Sequence, residues 1–310
     1  MAKTVYEHIQ KNNLKTWGLI ALFPISLCAV MFVVLYLFMG HDPESWAYAR
    51  DFFSVWAPIV LIIAAVWMLV SYFWGDKMML GFAGATRIDD NGENRKIFRA
   101  VENVALAAGL PTPKVYIMDD SSLNAFATGH HPKTASVAVT RGLIDKLEPL
   151  ELEGVIAHEM AHIGNRDIRL HILIITGLGV FGVLGEGILR ARMRNGGKGV
   201  AVAKAAGLAM LIFYYLVAPL IRLAISRTNE YNADATAALI TRNPAALASA
   251  LEKIKKNAHI ERFDEKPQMA VACIFDPRQK KMSLSGLGST HPDVNLRIKR
   301  LNEMARQLGQ

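Results

Sequence analysis

His158-Glu159-Met160-Ala161-His162 decides how this chain is read. Two histidines four residues apart on a helix lie on one face, so both imidazoles reach a single metal ion. Glu159 is offset around the helix, where it can meet a water held by that ion. Zinc lowers the pKa of such a water from ~15.7 to about 7, and a neighbouring carboxylate accepts its proton as the water attacks a peptide carbonyl. The same five letters also arise by chance on surface helices, so context matters. Val155, Ile156, Met160 and Ile163 recur at helical spacing across Glu153 to Ile163, and Gly164-Asn165 follows as a natural break.

Around this motif the chain is apolar. Hydrophobic residues make up 52% of its 310 positions, too many for an ordinary soluble enzyme and in keeping with a membrane protein that has a soluble part. The net charge is +8, but the positive residues are scattered and form no basic-aromatic module. Nucleic acid is therefore not an expected partner, and contact with an anionic membrane surface accounts for the charge. The two cysteines, Cys28 and Cys273, lie far apart and make neither a disulfide framework nor a CxxC site, which agrees with a reducing compartment.

Trp17 to Met39 and Phe52 to Trp74 are long enough to cross a bilayer. The first starts too late and runs too long for a cleaved signal, so both read as permanent spans. Lys3, Lys11 and Lys15 precede them. The loop from Gly40 to Asp51 holds only Arg50 against three acids, and Lys77, Arg87, Arg95, Lys96 and Arg99 follow. The positive-inside rule puts the N-terminus and everything just after Gly75 in the cytoplasm. The expected organisation is an N-terminal membrane hairpin over 1–75 and a cytoplasmic domain over 76–310. A second hydrophobic hairpin, at about 168–221, interrupts that domain.

This second pair, Leu170 to Leu189 and Gly199 to Ile221, contains His171, Glu186 and Lys204. Its tip carries Arg190, Arg192, Arg194 and Lys198, against the positive-inside rule if exported. Two readings stand: the pair crosses and returns, or it lies partly in the interface or against the first two spans. His171 and Glu186 read as facing protein or the interface rather than as intramembrane functional groups.

Ile97 to Ala108 predicts an amphipathic helix ended by Gly109 and Pro111. Lys114 to Met118 and Ala135 to Thr140 predict strands, with Ser122 to Gly129 as a third, edge strand; together they make a small sheet beside the motif helix. Asn243-Pro244 opens a helix to about Asn257, Glu261 to Leu287 is irregular, and His291 to Leu308 predicts a final amphipathic helix.

A catalytic zinc needs a third protein ligand and an open position. Glu230 and Asp234, four apart on a predicted helix, share a face. Glu230 can bind the metal while Asp234 holds a ligand histidine in its tautomer. A solvated acidic face is the alternative, though Ala233, Ala235, Ala237 and Ala238 favour close packing. If His158, His162 and Glu230 hold one ion, they lie on one side of the membrane, and the chain between them crosses an even number of times. With the first two spans counted, that side is the cytoplasm. His130-His131 reads as a polar loop, because neighbouring residues on an extended chain point opposite ways.

The segments HEMAHIGNRDI (158–168), SRTNEYNADATAA (226–238) and STHPDVNLRIKRL (289–301), with the two hydrophobic pairs in this order, resemble the HtpX-like family. These are membrane zinc endopeptidases, gluzincins related to the eukaryotic prenyl-protein endoprotease. The resemblance covers nearly the whole chain. It implies an α+β, mostly α fold: a membrane-anchored, zincin-like metalloprotease with transmembrane helices and a small β-sheet beside the zinc helix. It implies one zinc per chain on His158, His162 and Glu230, Glu159 as catalytic base and Asp234 as support. It further implies that His291 and Arg297 stabilise the tetrahedral oxyanion. Read without it, His291 is a helix-start residue before Pro292 and Arg297 a solvated charge. Asn124, Ala125 and Phe126, with Ala127, resemble the family's edge strand, which pairs with an extended substrate; an ordinary structural strand is the alternative. Asp167 is a candidate support for the zinc helix and is not counted as catalytic.

The implied function is hydrolysis of internal peptide bonds in quality control of misfolded or damaged membrane proteins at a bacterial inner membrane. Polypeptides and the lipid bilayer are then the partners. A narrow processing protease stays open, as does a membrane scaffold with a structural zinc. The scaffold needs a fourth ligand, and neither Cys28 nor Cys273 lies near the motif in sequence.

Overall fold

In a computed structural model the described residues are 2–38, 43–90, 92–192, 198–217, 227–263, 269, 272–275 and 292–309. Four strands, Ala85–Arg87 (β1), Lys114–Met118 (β2), Ala125–Thr128 (β3) and Ser136–Thr140 (β4), form one mixed sheet in the order β1-β2-β4-β3. β2 and β4 are parallel; β1 and β3 close the two edges antiparallel. β3 is the expected edge strand, whereas β1 has three residues, too few to leave an alternation in the sequence. Side chains alternate across the sheet. Val115, Ile117, Ala125, Ala127, Val137 and Val139 enter one core; Tyr116, Met118, Phe126 and Ala138 enter a second. The sheet is thus buried on both faces, which is why β3 and β4 carry no exposed position.

The helices are Ala2–Phe38 (α1), Pro43–Ala83 (α2), Arg95–Ala108 (α3), Arg141–Lys146 (α4), Pro149–Asn165 (α5), Asp167–Ile172 (α6), Gly179–Arg190 (α7), Lys198–Ile212 (α8), Arg227–Thr241 (α9), Pro244–Lys256 (α10) and Val294–Gln307 (α11). Gly109 ends α3 in the left-handed region, and the Asn243 side chain caps α10, both as the sequence predicts. The last helix starts three residues later than expected: Asp293 caps it by accepting from the Asn295 N–H at 2.7 Å. His291 lies outside the described residues.

α5, the motif helix, is buried along nearly its whole length and runs through the first core between α3, α9, α10 and the sheet. Its N-terminus is fixed by Glu151. That carboxylate accepts from the Glu148 N–H at 2.8 Å, and from Ser249 Oγ and Lys253 Nζ of α10 at 2.6 Å each. Gly154 lets α10 come close, since a Cβ there would sit 3.2 Å from the Leu247 backbone.

The second core is built by the apolar helices. Ile9–Val33, Phe53–Ala83 and Asp167–Arg190 are long and apolar enough to cross a membrane. The first begins earlier than Trp17, and α2 runs through Gly75 to Ala83, delivering the chain into β1. α6 passes into α7 through a stretch of wider π turns at Leu173–Leu178. α7 and α8 pair with each other, α8 lies against α1 and the π-turn stretch lies against α2: Phe23 of α1 stacks edge-on with Phe181 and Phe213, and Trp67 Nε1 of α2 donates to the Thr176 carbonyl at 3.3 Å. Lys204, out of place in an apolar helix by sequence, donates to the carbonyls of Ile188, Leu189 and Ala191. It thereby satisfies the C-terminal end of α7, where a cation is favoured. Glu186 pairs with Arg190 one turn away at 2.9 Å. The outward faces of α1 and α2 expose Leu22, Ile25, Trp56, Ile62, Ile63 and Trp74, an apolar surface that a water-soluble monomer rarely bears.

Burial pushes the Glu151 carboxyl up, but its bonds to Lys253, Ser249 and Glu148 outweigh burial and hold it below the usual range. Its contribution to stability is therefore complete above the ordinary carboxylate pKa of ~4.3 and lost as pH falls through the lower folded value. Thermal or denaturant unfolding in detergent will show Glu151→Ala destabilised by about 1–3 kcal/mol at neutral pH. The gap from the unsubstituted protein will close in acid.

Candidate metal centre and active site

One turn of α5 sets His158 above His162, their rings edge-to-face with centroids 4.7 Å apart. The two Nε2 atoms converge to 3.1 Å. α9 crosses beside them and brings Glu230, whose oxygens lie 3.7 Å from His158 Nε2 and 3.5 Å from His162 Nε2. All three residues are buried, and among the described residues they are the one His/Cys/Asp/Glu group whose ligand atoms converge on a common point. Cys273 is not part of it: it is buried in the second core, bridged to Phe126.

The spacing fits zinc. Bonds of ~2.0–2.2 Å in a tetrahedral site separate ligand atoms by roughly 3.3–3.6 Å, close to what the side chains hold here. A second observation agrees. Glu159 is 1% exposed, and its Oε1 has no hydrogen-bond partner among the described residues. A buried carboxylate oxygen left open beside converging nitrogens is a costly arrangement unless something polar binds there. Its carboxylate is otherwise held by the Ala127 backbone N–H of β3, and burial pushes its pKa up, towards the range useful to a general base.

Each histidine presents its far nitrogen to a carboxylate. Asp234 Oδ1 lies 2.9 Å from His158 Nδ1, one helical turn beyond Glu230 as its spacing predicts. Asp167 Oδ2 lies 3.0 Å from His162 Nδ1. Asp167 thus has the same geometry for the second ligand that Asp234 has for the first. α5 ends at Arg166, which takes the left-handed conformation (φ 61°), and that turn points Asp167 back at His162. The signal in the sequence is an acid two residues after the Gly164-Asn165 break. Such carboxylates fix the tautomer and orientation of ligand imidazoles.

Arg297 is 1% exposed, so the solvated-charge alternative is excluded. Its Nε and one terminal nitrogen form a two-pronged pair with Asp234 at 2.8 Å each. The other terminal nitrogen donates to the Ile274 carbonyl at 3.0 Å and lies 3.6 Å from Glu230. The guanidinium therefore spends two of its five N–H donors on Asp234 and one on Ile274, and its two amino groups lie beside His158 and Glu230.

Burial pushes the His158 imidazole down, but Asp234 and Glu230 outweigh it and lift the pKa to about 9. The same contest at His162, with Asp167 as the main partner, ends in a raised value. Asp234 is lowered to about 2, because Arg297 and His158 outweigh its burial. The cluster is built to hold positive charge at its centre.

β3 runs beside α5 with the Ala125 carbonyl facing outward. That carbonyl accepts from the Ile274 N–H at 2.9 Å, and Phe126 and Cys273 form an antiparallel bridge. Asn124 is fully buried; its Oδ1 accepts from the Ala125 N–H and its Nδ2 donates to the carbonyls of Ala258 and Phe275. The expected substrate edge is thus in contact with the chain's own segment 272–275. His130 and His131 stand apart from the centre: the His131 ring caps its own turn by accepting from the Lys133 N–H. His171 is buried with its ring 5.7 Å from that of His162.

The sequence model of peptidase family M48 matches residues 91–305. The chain is 38% identical over 308 residues to the protein named protease HtpX homolog of Tropheryma whipplei, covering 98% of this chain and 99% of that one. It is 37% identical over 308 residues to the protein of the same name from Bacteroides fragilis, covering 93% and 95%. Among solved structures, S. mikatae Ste24p is similar with a TM-score of 0.48 and 20% identity, over 93% of this chain and 67% of that one.

Zinc binds neutral imidazole, so an ion entering here would have to displace a proton from His158, whose pKa is raised. Chelator-competition titrations will show zinc affinity still climbing with pH above neutrality and levelling only near pH 9. Asp234→Asn, which keeps the shape and removes the charge, will shift that levelling to lower pH and weaken zinc binding by about 10–100-fold.

Proposed function

The chain belongs to peptidase family M48 and is a membrane-bound metalloendopeptidase; from that premise we propose that it works with one zinc ion to cut polypeptides, membrane proteins among them. The carrying observation is the convergence of His158, His162 and Glu230 beside the open, buried Oε1 of Glu159.

His158, His162 and Glu230 would hold the metal, and a zinc ion bound there would supply Lewis acidity towards water and the peptide carbonyl. Glu159 takes the proton of the attacking water at Oε1 while the Ala127 N–H steadies its carboxylate, and returns that proton to the departing amine. Its raised pKa serves both transfers. Asp234 and Asp167 keep each imidazole's Nδ1 engaged, so Nε2 stays free to face the ion. His291 is the proposed donor to the developing oxyanion. Arg297 contributes an N–H not engaged by Asp234 or Ile274 and otherwise acts by clamping Asp234.

The substrate binds as an added strand on β3, with Asn124, Ala125 and Phe126 forming its platform. Its backbone N–H takes over the Ala125 carbonyl in exchange for Ile274, so entry requires segment 272–275 to yield.

The site works on the cytoplasmic side of a bacterial inner membrane, in removal of misfolded or damaged membrane proteins. The excess of positive charge before the first span and after the second supports that side. So does the meeting of the start of α1, the end of α2 and the start of α6 near the site, through Asn12 with Asp167 and Met79 with Thr128. The second hairpin then crosses and returns, leaving α5 and α9 on one side. A purely structural metal is disfavoured by the open oxygen of Glu159, which such a centre leaves without a task.

Glu159→Gln tests the reading. In a purified, zinc-loaded protein it will keep the metal and lose about 10²–10⁴-fold in the rate of casein or membrane-protein cleavage. Retained proteolysis refutes the assigned base.

A further inference from the structure

α1 begins as an ordinary amphipathic stretch, yet two of its polar residues, Asn12 and Thr16, are each only 2% exposed. Asn12 lies near the start of the apolar stretch Ile9–Val33. Its Nδ2 donates to Asp167 Oδ1 at 2.5 Å and to the Asn165 carbonyl at 3.1 Å. The Thr16 hydroxyl donates to the Asn12 carbonyl at 2.7 Å. Asn229, the residue before the ligand Glu230, donates to the same Asp167 oxygen at 3.1 Å. The other oxygen of Asp167 faces His162 Nδ1. One carboxylate therefore joins three elements: a metal-ligand histidine on α5, the helix of the third ligand, and the first membrane helix.

We propose that Asn12 is a positioning residue of the metal centre, acting on His162 through Asp167, so that α1 completes the active site as well as anchoring the protein. The inference rests on the zinc reading of His158, His162 and Glu230. A buried carboxylate rotates about its last bond unless its lone pairs are occupied. Two amide donors on Oδ1 fix the plane, and the plane fixes where Oδ2 meets the imidazole. Without Asn12, Oδ1 keeps one donor, the ring's orientation loosens and the ligand set is less well prepared for the ion. Asn13 on the same turn makes a different contact: its Oδ1 accepts from Arg169 at 3.0 Å and does not reach Asp167. It serves as the control for docking of the helix alone.

The test uses the full-length protein in detergent or nanodiscs. Zinc dissociation constants are measured by chelator competition, and cobalt(II) absorption reports ligand geometry. Asn12→Ala is expected to weaken zinc about tenfold and to alter the cobalt spectrum. Peptidase kcat should fall at limiting zinc and recover with excess zinc, with KM unchanged. Asn12→Asp, equal in shape but with its donor replaced by an acceptor, is expected to weaken zinc at least as much, and stands in if the alanine variant does not fold. Asn13→Ala should bind zinc within twofold of the unsubstituted protein. A folded Asn12 variant with unchanged zinc affinity overturns the proposal, and so does an Asn13→Ala loss as large as that of Asn12→Ala. His162→Ala is run alongside: if it binds zinc as tightly as the unsubstituted protein, the metal reading itself falls. If it loses zinc while Asn12→Ala does not, only the role of Asn12 falls.

Discussion

Four carboxylates, those of Glu159, Asp167, Glu230 and Asp234, are buried around two imidazoles, and none is more than 3% exposed. Charges taken out of water so close together repel one another and lose their hydration, and such a cluster persists only when each member is matched. Arg297 matches Asp234, the amides of Asn12 and Asn229 satisfy Asp167, and the Ala127 N–H supports Glu159. What is left is an excess of negative charge at the point where His158, His162 and Glu230 converge. A divalent cation is the counterpart that this excess calls for. The same carboxylates, Asp234 and Glu230 at His158 and Asp167 and Glu230 at His162, raise the imidazole pKa values despite full burial.

The rest of the architecture holds that cluster in register. α5 carries three of the groups on one rigid turn and is fixed at its start by Glu151 and along its length by α10. α9 brings Glu230 and Asp234 on one face, at the same one-turn interval as the histidines, so Glu230 lies between the two Nε2 atoms while Asp234 meets His158 Nδ1. The sheet separates a core made with the metal helix from a core made with the apolar helices. β3 belongs to both, through Ala125 and Ala127 on one face and Phe126 on the other. The polar contact of Asn12 with Asp167 joins α1 to the start of α6, one residue pair away from His162.

Local patterns carried much of this in the primary structure. The motif at 158–162 gives its own geometry, because four residues make about one turn of a helix whatever surrounds it. The same holds for Glu230 and Asp234, for the caps at Gly109 and Asn243, and for the apolar runs that became helices in the second core. β1 escaped notice because three residues cannot display a period. The contact of Asp167 with His162 is not legible in the sequence because it depends on a reversal of direction at Arg166, a non-glycine residue in the left-handed region that no composition rule anticipates. The main partner of Arg297 is not legible in the sequence: bidentate pairing with Asp234 joins residues 63 apart in the chain.

The sequence alone thus determined the chemistry on offer: two imidazoles and a carboxylate on one turn, two acids on another, and apolar segments long enough for a bilayer. Those follow from helix periodicity and segment length, which are short-range properties of the chain. The tertiary structure decided which of these groups meet. It put Asp167 on His162, Asn12 on Asp167, Arg297 on Asp234 and Ile274 on the edge of β3. Contacts of that kind are fixed by how whole helices dock, and docking is set by the summed burial of many side chains, none of which carries the partner's address in its own stretch of sequence.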